Sequence, residues 1–197
     1  LKDKFNNEAM INFFKSKRKI AAFGTMSNTG QTGLNWQDSR KYGITEDNFE
    51  YDENSGFFYS FAENDAFEFN GNGLPKAWTG GLHFSNKWNE DKHNFNASYM
   101  YKKLDVAGDG ETRTQYILPD TLYYINQRNA SFSQRDRNTL NGKYEIQLDS
   151  SSSLKFVFSG YKGHTETSSI FHSEALNEHS GPVNTSNRKT SNKNQES

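Results

Sequence analysis

The chain has 197 residues, with 23 Lys+Arg against 24 Asp+Glu and no Cys. Its mean hydropathy of -1.00 and its poverty in Leu, Ile and Val lie at the edge of disorder, yet a net charge of -1 and 15% aromatic residues are the reverse of a disordered composition. The lack of Cys excludes disulfide frameworks and thiolate chemistry; the balanced charge offers no field for nucleic acid; and no apolar run approaches the roughly 18 residues of a membrane helix. The chain opens at Leu1 and closes in a polar run over 184–197, and it reads as a fragment of a longer protein.

Helical periodicity is poor throughout, whereas apolar and polar residues alternate in short stretches bounded by polar turn clusters. Ile11 and Phe13 lead into a basic turn at Lys15, Lys17, Arg18 and Lys19, and 20–28 returns, with Ala21, Ala22 and Phe23 blurring the period. Leu82, Phe84 and Trp88 alternate with His83, Ser85 and Lys87, turn at 89–92, and continue as Phe95, Ala97, Tyr99 and Tyr101, with Asn94, Asn96, Ser98 and Lys102 opposite. The clearest pair sets Leu140, Gly142, Tyr144, Ile146 and Leu148 against Asn141, Lys143, Glu145 and Gln147. It turns at 149–152 and resumes with Leu154, Phe156, Phe158 and Gly160 against Lys155 and Ser159. Each pair predicts a hairpin.

The segments between hairpins, about 29–76 and 106–133, are long, and compact soluble domains rarely hold structureless loops beyond about 12–15 residues. Short turns on one side, long extracellular loops on the other and strands of roughly 9–11 alternating residues predict an all-β fold: part of an antiparallel transmembrane β-barrel. Hydrocarbon cannot hydrogen-bond a backbone, so such strands must close, and only the outward face need be apolar. Trp88, Tyr99, Tyr101, Tyr144 and Tyr161 suit the headgroup level. The inner wall is expected to comprise Asn96, Ser98, Lys102, Asn141, Lys143, Glu145, Gln147, Lys155 and Ser159. A secreted β-sandwich or adhesin module shares the alternation, but its core favours Val and Ile; here 3 Val and 7 Ile stand against 16 Phe and 10 Tyr.

The segment 46–68 interleaves Phe49, Tyr51, Phe57, Phe58, Tyr59 and Phe61 with carboxylates, a composition suited to stacking a sugar ring or holding a peptide. A hairpin that packs its own aromatics is the plainer reading. Asp47, Asp52, Glu53 and Asn54, or Asp105, Asp109 and Glu111, offer oxygen to calcium without EF-hand spacing, and solvated acidic loops explain them more simply. The basic turn has a headgroup-contacting reading and a plainer one as a polar turn. The five His are scattered, and no nucleophile elbow or phosphate loop occurs, so the sequence names no catalytic residue, metal site or cofactor.

Several stretches together resemble the barrel domain of TonB-dependent-receptor-like outer-membrane proteins of the Bacteroidota type. They are 5–10, Lys15-Ser16-Lys17-Arg18-Lys19, Phe23-Gly24, 27–30, Gly33-Leu34-Asn35-Trp36, Lys41-Tyr42-Gly43, Gly73-Leu74-Pro75, Gly80-Gly81, Asn86-Lys87-Trp88, Asn96, 99–101, Leu118-Pro119-Asp120 and Leu148-Asp149-Ser150. The resemblance implies a barrel of about 22 strands, of which 1–197 supplies about six or seven, in the cell outer membrane, for ligand capture or uptake. Its implied partners are outer-membrane lipid, a plug domain and the rest of the barrel in the same chain, and a TonB-type energy-coupling protein or a surface lipoprotein. A non-transporting scaffold barrel is the other expectation it leaves open.

Overall fold

The computed structural model describes residues 3–32, 49–52, 57–60, 69–119 and 121–197. These form strands and turns without a helix: β1 (Asn6–Lys15), β2 (Arg18–Ser27), β3 (Phe49–Asp52), β4 (Phe57–Ser60), β5 (Leu74–Trp88), β6 (His93–Leu118), β7 (Thr121–Gln147), β8 (Ser153–Asn177) and β9 (Pro182–Glu196). Strands β3 and β4 pair with each other, and the other seven make one antiparallel sheet in the order β1-β2-β5-β6-β7-β8-β9. The sheet is open, with β1 and β9 at its edges.

Short turns set the register at one end. Lys15 pairs Arg18 across Ser16 and Lys17, with Ser16 left-handed at φ 53°. Trp88 pairs His93 across a turn whose Asn89, Glu90 and Asp91 are all left-handed, a conformation Asn and Asp tolerate better than most residues. The Lys17 ammonium lies 2.6 Å from the Asp91 carboxylate, which ties these two turns together. Between β7 and β8, the Asp149 carboxylate accepts from the Ser151 backbone N–H at 2.8 Å and its hydroxyl at 2.9 Å, a side-chain mimic of a backbone turn. Hydrogen bonds from Ser151, led by its backbone N–H, hold the Asp149 carboxyl below the usual carboxylate range.

The segment 106–133, expected as a long loop, is instead the upper part of one tall hairpin. Strands β6 and β7 pair without interruption from His93↔Ile146 to Leu118↔Thr121, and Val106↔Ser133 is an ordinary rung. The alternation continues there in polar residues: Glu111↔Arg128 and Arg113↔Asn126 on one face, Thr112↔Gln127 and Gly110↔Asn129 on the other. A search for apolar periodicity passes over such a strand because neither face is greasy. At about 3.3 Å per residue the 26 residues of β6 extend roughly 85 Å, nearly three times a hydrocarbon core. The other expected loop, 29–76, contains the β3–β4 hairpin and ends where β5 begins at Leu74; apart from 29–32 and 69–73, the rest of it lies outside the described residues.

Packing runs between neighbouring strands of one layer. Among the described residues the buried apolar side chains are few, with Ala77 and Leu104 touching each other and Val106 against them. Thr25, Ser27 and Thr79 are buried beside them, and the Thr79 hydroxyl donates to the Thr32 carbonyl at 2.6 Å, so the chain leaving β2 folds across that face.

Candidate functional site

Directly opposed residues in an antiparallel sheet point the same way, so the register sorts every side chain into one of two faces. On the first, Phe13, Ile20, Phe84, Ala97, Gly142 and Phe158 form a row across six strands; the next reads Ile11, Ala22, Leu82, Tyr99, Leu140 and Gly160. Toward the short turns the face is aromatic. Trp88 stacks on His93 at 5.2 Å and lies 6.1 Å from Tyr144, whose hydroxyl meets His93 Nδ1 at 2.7 Å; Phe156 continues the stack at 6.4 Å. Toward the tall ends charge enters at the row of Trp78, Lys103, Asp136 and His164, beyond which polar residues predominate although Phe132 and Ile170 lie on the same face. From His93 to Tyr101 the band covers about 26 Å of strand, or roughly 20 Å at a tilt near 40°.

The second face carries all nine residues singled out for the inner wall. Asn96 pairs Lys143, Ser98 pairs Asn141, Lys102 pairs Arg137, Glu145 pairs Lys155, Asn141 pairs Ser159, and Gln147 pairs Ser153. Glu145 is its electrostatic centre toward the short turns: Asn94 donates to it at 2.8 Å, and the Lys143 and Lys155 ammoniums lie 3.6 and 3.9 Å away. Val157 also points to this face, opposite Lys143.

At some positions exposure runs opposite to polarity. Phe156 and Leu82 on the apolar face are each 56% exposed, while the side chains of Lys143 and Arg137 on the polar face are 18% and 12% exposed. A soluble sheet hides its aromatics and leaves its cations in water. Here Phe156 and Leu82 stand open, while Lys143 and Arg137 are crowded by their neighbours.

Of the five aromatics expected near strand ends, Trp88 and Tyr144 lie by the short turns. Tyr99 and Tyr101 fall mid-strand because β6 continues past them, and the Tyr99 hydroxyl donates to Asn138 at 2.6 Å. Tyr161 belongs to the polar face, opposite Thr139, and the Arg137 guanidinium lies over its ring at 5.0 Å. Sequence reasoning missed Arg135 and Arg137, since Arg135-Asp136-Arg137 reads as the edge of a loop unless β7 is known to run through it.

Of the aromatic segment, Phe49 and Tyr51 lie in β3 and Phe57, Phe58 and Tyr59 in β4, paired as Phe49↔Ser60, Tyr51↔Phe58 and Asp52↔Phe57. Their side chains, and the whole of Phe61, lie outside the described residues, as do Asp47, Glu53 and Asn54. The other acidic set is strung along β6, where Asp105 faces Lys103 at 3.5 Å and Glu111 faces Arg128 at 3.5 Å. Alternate strand residues are about 6.6 Å apart, and among the described residues no group of three His, Asp or Glu converges as a metal site.

No protein-family model matches the chain, and neither a curated protein nor a solved structure does.

Proposed function

We propose that this chain is part of the wall of an outer-membrane β-barrel, receptor- or transporter-like, whose apolar face meets lipid and whose polar face lines the interior. The observation that carries the reading is the inverted exposure: Phe156 and Leu82 stand open while Lys143 and Arg137 are enclosed. In water such a sheet would leave a greasy patch running across six strands, far beyond the few hundred Å² a monomer tolerates. In a bilayer the same patch is the outward band, with aromatics at one margin and charges at the other. The sandwich alternative requires a second layer over this face, and the described residues supply none. The tall hairpins would then stand clear of the membrane, where a receptor meets its ligand. The resemblance to TonB-dependent-receptor-like barrels of the Bacteroidota type supports uptake or capture over scaffolding, and brings a plug domain and a TonB-type or lipoprotein partner into the proposal.

Membrane fractionation of cells making the intact protein, with boiled and unboiled samples compared on a gel, tests this reading. Outer-membrane location with heat-dependent mobility is expected. A soluble product with one mobility would overturn it.

A further inference from the structure

Resting on the reading of the apolar face as the lipid-facing side, we infer that Lys15, Arg18 and the low strip along β2 form a seat for a phospholipid with an anionic headgroup, in the leaflet beside the short turns. The register divides the basic turn into three parts. Lys17 is tied to Asp91 at 2.6 Å, and Lys19 projects to the polar face opposite Ser85. Lys15 and Arg18 instead oppose each other on the last rung of the first hairpin, on the same face as Phe13 and Ile20. Directly opposed residues have Cβ atoms about 5 Å apart, and like charges so placed destabilise a sheet. An anion bridging the two relieves that repulsion.

Both side chains are exposed, and among the described residues neither has an ion pair or hydrogen bond. In the adjoining turn Asp91 holds Lys17, and Glu90 has no cation partner among the described residues. The carboxylates between Asp38 and Glu68 belong to a stretch attached elsewhere. Thr32, just before it, accepts from Thr79 on the polar face at 2.6 Å, and the Phe69 ring, just after it, lies against Gly30. Thr79 pairs Thr25, seven residues or about 23 Å along β2 from Arg18.

The strip beyond the two cations suits an acyl chain. Past the rung of Phe13, Ile20 and Phe84, β2 presents Ala22 and then Gly24 on this face. Ile11 and Leu82 stand on either side of Ala22, 70% and 56% exposed. The trough between them opens at Gly24 onto a flat floor, for Gly24 lies between Ala9 and Gly80. From Arg18 to Gly24 the strip extends about 20 Å.

A free phosphate would use only the charged end, whereas a phospholipid uses both. Its phosphate meets Lys15 and Arg18, where the guanidinium offers paired N–H groups to an oxyanion, and one of its chains lies over Ala22 and Gly24. Long cationic side chains keep their stems on apolar surface while their heads stay at headgroup level.

Native mass spectrometry of the intact protein in nonionic detergent, titrated separately with phosphatidylglycerol and phosphatidylcholine of matched chains, tests the inference. The heat-dependent gel mobility of every variant is recorded, so that barrel assembly is read separately. The first phosphatidylglycerol should bind about tenfold or more tighter than the first phosphatidylcholine, since each basic residue near an anionic headgroup contributes roughly fivefold. Lys15→Gln/Arg18→Gln should abolish the preference, and each single variant should lose part of it. Lys19→Gln, next in sequence but on the other face, should retain it, and excess inorganic phosphate should not displace the lipid. Equal binding of the two lipids by heat-shifted wild-type protein, a preference that survives the double variant, or an equal loss in Lys19→Gln overturns the inference while sparing the barrel. Displacement by inorganic phosphate overturns the lipid as occupant. A wild-type protein without the heat shift overturns the barrel reading instead.

Discussion

Placing an arginine at Phe156 and, separately, at Ser159 separates a lipid-facing wall from a water-facing sheet. Both residues lie on β8, with Phe156 opposite Tyr144 on the apolar face and Ser159 opposite Asn141 on the polar face. Phe156 is 56% exposed; of the roughly 200 Å² of a phenylalanine, about 110 Å² would rest against lipid, worth roughly 3 kcal/mol at 25 cal/mol per Å². An arginine forfeits that and adds its own desolvation, which agrees with the roughly 2–4 kcal/mol measured for lipid-facing arginine near the midplane of such barrels. A shift of about 3 kcal/mol corresponds to roughly a hundredfold in the folding equilibrium. Guanidinium unfolding of the intact protein in vesicles, followed by the unboiled gel band, should show a lowered midpoint for Phe156→Arg and a wild-type midpoint for Ser159→Arg. Equal midpoints for the two variants would refute the assignment of faces.

Other perturbations probe separate features. The Phe158 ring covers Gly142, occupying the space a Cβ would take; Gly142→Ala should therefore cost about 1 kcal/mol, at the low end of overpacking because the ring can swing outward, read in the same unfolding assay. Hydrogen exchange of the intact protein should protect amides of 106–118 and 121–133 as part of a continuous ladder; exchange at loop rates there would contradict the tall hairpin. The Asp149 carboxyl is held below the usual range by Ser151, so the stability it adds is present above the unfolded carboxylate pKa and is lost as pH falls through the depressed folded value. Asp149→Ala should accordingly be less stable than wild type near neutral pH, and thermal melts in strong acid should show the gap closing. Glu145→Gln removes the carboxylate shared by Asn94, Lys143 and Lys155 and should lower stability by about 1 kcal/mol, more at low salt than at high.

Legibility in the sequence followed the apolar band. Where one face was greasy, as in 140–148 with 154–160, the alternation alone predicts both strands, their turn and the face of each residue. Where both faces were polar, as in Glu111-Thr112-Arg113 against Asn126-Gln127-Arg128, nothing distinguishes a strand from a loop until the partner strand is known. The same blindness hid Arg135 and Arg137, whose face is known only once Arg137 is paired with Lys102 and Gly163 in neighbouring strands. Phe23, one of the residues that blur the period in 20–28, covers Gly81 on the polar face, because a glycine opposite leaves the space for its ring.

The edges of the sheet connect these local facts to the larger assembly. Strand β9 pairs with β8 only from Gly163 to Leu176, so the stretch carrying Leu154, Phe156 and Phe158 has β7 on one side and, among the described residues, no strand on the other. At the far edge, β1 presents Ile11 and Phe13 with β2 on one side alone. Within the proposed barrel, hydrocarbon would leave each unpaired backbone group at these edges several kcal/mol worse off, so further strands must pair with them. Above the band the edge strand β9 is exposed along its whole length and rich in Ser, Thr, Asn and Lys, a composition that water satisfies and that discourages pairing with strangers.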